Sequence, residues 1–188
     1  MDAIEAIKGR TSVRRYRPDA VPRETIELLL ECAVRAPNHK LTEPWRFAVL
    51  TGDAKARFAD IRAAHRLKRY DDPASSEARA TLEKVRRETL EMPAVIVIMS
   101  RVHDDELIRE EDYASVMMAT ANLMTAARYL GLGTYLRTGG VMRDPALAEL
   151  VSLPKGHRIV GVLSLGYPAE EESPKRRRPA GEVTQWLG

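Results

Sequence analysis

Cysteine is almost missing from this chain: Cys32 is the only one in 188 residues. No internal disulfide can form, which suits a reducing compartment, and a cytoplasmic protein is expected. Aromatic residues are also scarce, at 5%. That argues against a nucleic-acid partner, as does the lack of any known binding module. No apolar run approaches about 18 residues, so no membrane span is expected. The opening MDAIEAIKGR has no basic stretch followed by an apolar core, so no secretory signal is expected. The chain lacks GxGxxG after a strand, GxxxxGK[ST] and GxSxG. His39, His65, His103 and His157 lack metal-type spacing with a cysteine or a second histidine, and no metal is expected. Hydrolase, metalloenzyme and P-loop readings are thereby disfavoured.

Hydrophobic residues make up 44% and charged residues 30%, the balance of an ordinary globular chain. The length suits one domain over residues 1–188, able to bury roughly 70% of its unfolded surface. A net charge of +3 and a pI near 9.1 are mildly basic. They are compatible with a phosphate-bearing cofactor and decide nothing alone.

The spacing predicts a short helix over 2–9 capped by Asp2, and a second opened by Pro22 that stops before Pro37. RFAVLT at 46–51 reads as a strand, and the charge-rich 53–91 as two surface helices. AVIVIMS at 94–100 has the continuous apolar character of a strand buried on both faces. Residues 106–130 form the longest helical stretch. Tyr113, Val116, Met117, Thr120, Leu123, Met124 and Ala127 recur at helical steps, and Ala114, Ser115, Ala119 and Ala121 lie between them. A helix apolar or small nearly all round must be buried, which in so short a chain points to a partner subunit. Further strands are predicted from 134 and over 158–165, with a short helix over 145–151. Val183, Trp186 and Leu187 suggest a docked, ordered tail. The expected class is α+β, with a mostly antiparallel central sheet flanked by helices.

Four polar clusters stand at loop positions. Arg10, Thr11, Ser12 and Arg14 combine guanidinium groups with hydroxyls, a set that binds phosphate; a solvated basic face is the bland alternative. Arg35, Pro37, Asn38 and His39 offer donors on a fixed backbone, or merely end a helix. Leu136, Arg137, Thr138 and Gly139 follow a strand, where glycine permits close approach of a flat ligand, or simply a turn. Lys175-Arg176-Arg177-Arg178 could hold phosphate, bind nucleic acid or lie in solvent.

Together these stretches resemble the nitroreductase family of FMN enzymes. The resemblance is carried by RTSVRRYRPD at 10–19, APNHKLTEPWRF at 36–47, YLGLGTYLRTG at 129–139, IVGVLSLGYP at 159–168, PKRRRP at 174–179 and the terminal EVTQWLG. It covers nearly the whole chain, by order and spacing more than by any one motif. It implies a homodimer with FMN between the subunits. Arg10, Thr11, Ser12 and Arg14 would then contact the flavin ring and its phosphate arm. Arg35, Pro37, Asn38 and His39 would reach FMN from the other subunit. Leu136, Arg137, Thr138 and Gly139 would lie against the ring, and Lys175 and Arg177 would hold phosphate. The chain matches the small branch of the family, with the 53–91 region in place of longer lid helices.

The resemblance further implies NADH or NADPH as hydride donor and a nitroaromatic, quinone or similar organic acceptor. No side chain needs to act as acid or base in hydride uptake; Arg10 or Arg137 is the candidate to stabilise the reduced flavin. A flavin carrier or flavin-modifying relative would keep the same binding residues. A nucleic-acid binder is the other rival, motivated by RRYR at 14–17 and KRRR at 175–178.

Overall fold

A computed structural model describes residues 1–170 and 172–188; Glu171, within the acidic stretch at 170–172, lies outside the described residues. Four strands build one sheet: β1 (Trp45–Leu50), β2 (Ala94–Arg101), β3 (Gly133–Arg137) and β4 (His157–Gly166). Their order is β1-β2-β4-β3, and every pair of neighbours is antiparallel. Among the described residues six α-helices surround it: α1 (Ala3–Gly9), α2 (Arg23–Ala33), α3 (Gly52–Leu67), α4 (Ser76–Leu90), α5 (Glu106–Tyr129) and α6 (Pro145–Leu150).

The apolar run of β2 sits at the centre because both its faces are covered. Ile96 and Ile98 join Leu163 and Leu165 of β4 beneath α2 and α5. Val95 and Val97 point the other way, with Val162, onto Phe58 of α3 and Leu147 of α6. The alternation comes from the two-residue period of a strand. α4 packs chiefly on α3, forming a helical hairpin over that second face.

Helix starts obey local chemistry. Asp2 and Glu5 form a reciprocal capping box on α1. Ser75, Asp105 and Asp144 each accept a backbone N–H at the start of α4, α5 and α6. The α+β class, both helices in 53–91 and all four strands match the expectations from sequence.

Two expectations are not met within one chain. α5 is not buried all round: Tyr113, Ala114, Met118 and Ala121 face outward. The sheet and α2 offer it only one side to pack against. Nor does the tail dock on its own chain. Trp186 is 90% and Leu187 85% exposed.

Asp112 of α5 is the principal buried charge. One carboxylate oxygen accepts from Nε and Nη2 of Arg101 at 3.1 and 3.0 Å. The other accepts from the Thr42 hydroxyl at 2.7 Å. The carboxylate thus ties α5 to β2 and to the loop before β1. Removing one partner of such a pair strands the other. Asp112→Ala is expected to lower unfolding stability by about 3 kcal/mol, read as a fall in the urea midpoint at unchanged slope.

Candidate functional site

The outer edge of β3 is covered by the basic segment at 10–17. Ser12 bridges to Thr134 in parallel, and the Val13 amide donates to the Thr134 carbonyl at 2.9 Å. Val13 is buried against Gly133, where an added Cβ would stand 2.6 Å from Val13 Cγ2. A side chain at 133 would push the segment off the sheet. Further along, Tyr16 bridges to Pro168, and the Arg17 amide donates to the Tyr167 carbonyl at 2.9 Å. The segment is therefore an extended edge of the sheet, with Val13 buried and Arg14, Arg15 and Arg17 exposed.

A polar chain runs beneath it. The Tyr16 hydroxyl donates to the Val13 carbonyl at 2.7 Å and lies 2.8 Å from Ser164 Oγ. Ser164 Oγ also accepts from Arg137 Nη1 at 2.9 Å. Burial pushes the Tyr16 phenol up to about 12, against the opposing pull of Ser164 and of the Arg137 charge, so it stays neutral near pH 7. The Arg137 guanidinium stacks on Tyr135 at 4.3 Å, and Arg14 approaches the same ring at 5.4 Å. Burial first, and then the nearby charge of Arg62, hold Arg137 below the usual guanidinium range.

Three recesses lie along this edge. The smallest, about 30 Å³, is lined by Arg10, Thr11, Ser12, Glu172, Ser173, Lys175 and Arg177. The first and fourth sequence clusters meet here although some 160 positions separate them. A cleft of about 760 Å³ is bordered by Arg14, Tyr16, Arg62, Glu88, Tyr135 and Arg137. A cavity of about 520 Å³ continues from it past Arg137, Thr138, Gly139 and Gly140, and shares Arg62, Glu88 and Tyr135 with the cleft.

Arg35, Pro37, Asn38 and His39 line none of these three recesses. Asn38 instead accepts the Glu43 amide at 3.0 Å, and His39 meets Glu111 of α5 at 2.7 Å. Leu136 turns its side chain to the other face of the sheet, against the α2–α5 core. Arg137 and Leu136 thus part as neighbours on a strand must. Sequence reasoning overlooked Tyr16, Arg62, Tyr135 and Ser164. Tyr135 had a readable signal, since it shares strand parity with Arg137. Arg62 and Ser164 had none, because only folding brings them near.

The sequence matches the profile of the Nitroreductase family over residues 7–167. The YfhC protein of Bacillus subtilis, assigned provisionally as an NAD(P)H nitroreductase, is 27% identical over 176 residues, which are 93% of this chain and 89% of that one. An NADH dehydrogenase of Thermus thermophilus is 29% identical over 217 residues, with 99% of this chain and 96% of the relative covered. The crystal structure of a nitroreductase-like family protein from Bacillus cereus shares this fold with a TM-score of 0.84 at 30% identity, covering 100% of this chain and 96% of the other. The profile match takes in the β3 edge and all four strands, and the chain belongs to the nitroreductase family.

Proposed function

We propose that this chain is an FMN-dependent NAD(P)H oxidoreductase, working as a homodimer. Bound FMN would supply the hydride chemistry, between a nicotinamide donor and a nitroaromatic, quinone or similar organic acceptor, through its N5. The observation that carries the reading is the meeting of Arg10, Thr11 and Ser12 with Lys175 and Arg177 in one recess beside the Arg14–Tyr135–Arg137 cleft.

The residues fit such a group. Three cations and three hydroxyls surround the small recess, with Glu172 the one carboxylate on its wall. Guanidinium and hydroxyl groups of this kind hold a phosphate by charge-assisted hydrogen bonds. The neighbouring cleft is large, and Gly139, with open space where a Cβ would stand, leaves the backbone accessible beside it. Arg10, Ser12, Lys175 and Arg177 would hold the phosphate. Arg14, Arg137, Thr138 and Gly139 would border the ring, with Leu136 contributing backbone only. Arg35, Pro37, Asn38 and His39 would reach it from a second subunit.

Arg137 rather than Arg10 is the cation beside the ring in this reading. Arg137 is held in place by Ser164 and Tyr135, on the floor of the cleft. Arg10 stands in the phosphate recess. A fixed positive charge favours the electron-rich state of a neighbouring group without reorganising during the reaction.

The dimer is supported by apolar surface left uncovered in one chain. Ile4 and Ile7 on α1, Met118 and Tyr129 on α5, and Trp186 in the tail are all exposed. Obligate interfaces are large and core-like, and such surface suits one.

Three outcomes are expected. Purified protein is yellow, NADH or NADPH bleaches it without air, and Arg10→Ala weakens FMN binding by about tenfold or more, as loss of a charge-assisted hydrogen bond should. A colourless preparation that refuses added FMN would end the proposal. Arg137→Ala retains FMN, shifts the flavin potential to more negative values and slows turnover by on the order of 100-fold. An unchanged potential would remove Arg137 from that role. Sedimentation at micromolar concentration gives twice the 21.1 kDa chain mass, and Trp186→Ala weakens the association; a monomer would contradict the shared site.

A further inference from the structure

The cavity of about 520 Å³ beyond Arg137 carries an imbalance of charge of which the flavin reading uses only Arg137. Its walls present Arg62, Arg66 and Arg69 of α3 and its end, Lys84 of α4, and Arg137 of β3, against one carboxylate, Glu88. Five cations facing one anion leave a formal excess of four positive charges. None of the five is in an ion pair among the described residues. Elsewhere on the same helices, Arg86 is paired with Asp60 at 2.7 Å.

The arrangement is directional. Arg62, Arg66 and Arg69 succeed one another at four- and three-residue steps, so they share one helical face. At about 1.5 Å per residue they form a row roughly 10 Å long. The row begins beside Arg137 and ends at Arg69, where the Tyr70 hydroxyl and Thr81 Oγ1, 2.7 Å apart, close the far end. α3 is clamped in register beside this same cavity, whose wall includes His65. His65 and Lys68 both reach Asp144 at the start of α6, at 3.1 and 2.9 Å. The row is therefore fixed on the cavity, and like charges are held together there at a cost that an anion would relieve. Arg62 is pushed below its usual range by burial, and the neighbouring Arg66 adds to that.

Resting on the FMN oxidoreductase reading, we propose that this row is the phosphate subsite of the hydride donor, and that Arg69 and Lys84 select NADPH over NADH. The nicotinamide end would lie toward Arg137 and the phosphorylated end toward Arg69. A pyrophosphate brings two negative charges, and a phosphomonoester adds about 1.5 to 2 more. With Arg137 already facing the flavin, four cations against Glu88 leave an excess of three, which the first donor's two charges do not meet and the second donor's do. Arg69 and Lys84 are exposed at the distal end, so their replacement leaves the core intact.

The test compares the wild-type holoenzyme with R69Q/K84Q and with R57Q/R79Q, which removes two exposed charges from the same helices away from all three recesses. The wild type is expected to use NADPH with a kcat/KM at least tenfold above that for NADH, a preference that shrinks with added salt. R69Q/K84Q should lose most of that ratio through KM for NADPH; R57Q/R79Q should keep it. Calorimetry gives a readout independent of turnover. Adenosine 2′,5′-bisphosphate should bind the wild type at least tenfold more tightly than adenosine 5′-monophosphate, and R69Q/K84Q should erase the difference. Equal binding of the two nucleotides, equal use of NADH and NADPH, or a defect confined to a carboxylate-bearing acceptor would each overturn the proposal. Colourless protein inert with either donor would sink the oxidoreductase reading instead, and the calorimetric comparison would still decide the phosphate subsite.

Discussion

Everything assembled at this site depends on how closely residues 10–17 lie along the edge of β3. The contact is steric before it is polar. Gly133 has no side chain, and Val13 occupies the space where one would stand. That contact allows the Val13–Thr134 hydrogen bond and sets the register of the rest of the segment. From that register Arg10 and Ser12 turn toward the tail, and Arg14 and Tyr16 turn toward Tyr135 and Ser164. An unpaired sheet edge is ordinarily a liability. Here most of it is covered by the chain's own basic segment, and the coverage builds a site.

The polar chain from Tyr16 through Ser164 to Arg137 explains why a guanidinium can stand on a partly buried floor without a carboxylate partner. Its charge is met by a hydroxyl at 2.9 Å and by the face of Tyr135. Buried polar groups persist when their hydrogen bonds are satisfied. Among the described residues no carboxylate is paired directly with Arg137, and Glu88 on the cleft wall offsets only part of the positive field there. The α3 row extends the same field outward, so the site reads as a continuous cationic surface, graded from a small phosphate-sized recess to a broad cavity. Placement of that surface depends on two carboxylates outside it: Asp112 fixes α5 to β2, and Asp144 fixes α3 to α6.

Much of the fold was legible from the chain. The 3.6-residue repeats, the cap residue Asp2 and the apolar run of β2 are local signals, and each element formed where they stand. The two stretches left uncovered within one chain, the outward face of α5 and the apolar tail, share one cause. Apolar periodicity says that a surface seeks cover, and it does not say whether the cover belongs to the same chain.

The sequence by itself determined the element types, the α+β class and the chemical character of each polar cluster, because those depend on neighbours a few residues apart. It also determined that Arg35, Pro37, Asn38 and His39 form a loop, which the fold keeps away from the other clusters of the same chain. Only the tertiary structure decided that Arg10 and Lys175 share a recess, that Arg137 and Leu136 face opposite ways, and that Arg62 of α3 stands beside Arg137 of β3. Those are contacts between elements distant in the chain. They are set by sheet order and side-chain volume, above all by the missing Cβ at Gly133, and no local pattern encodes them.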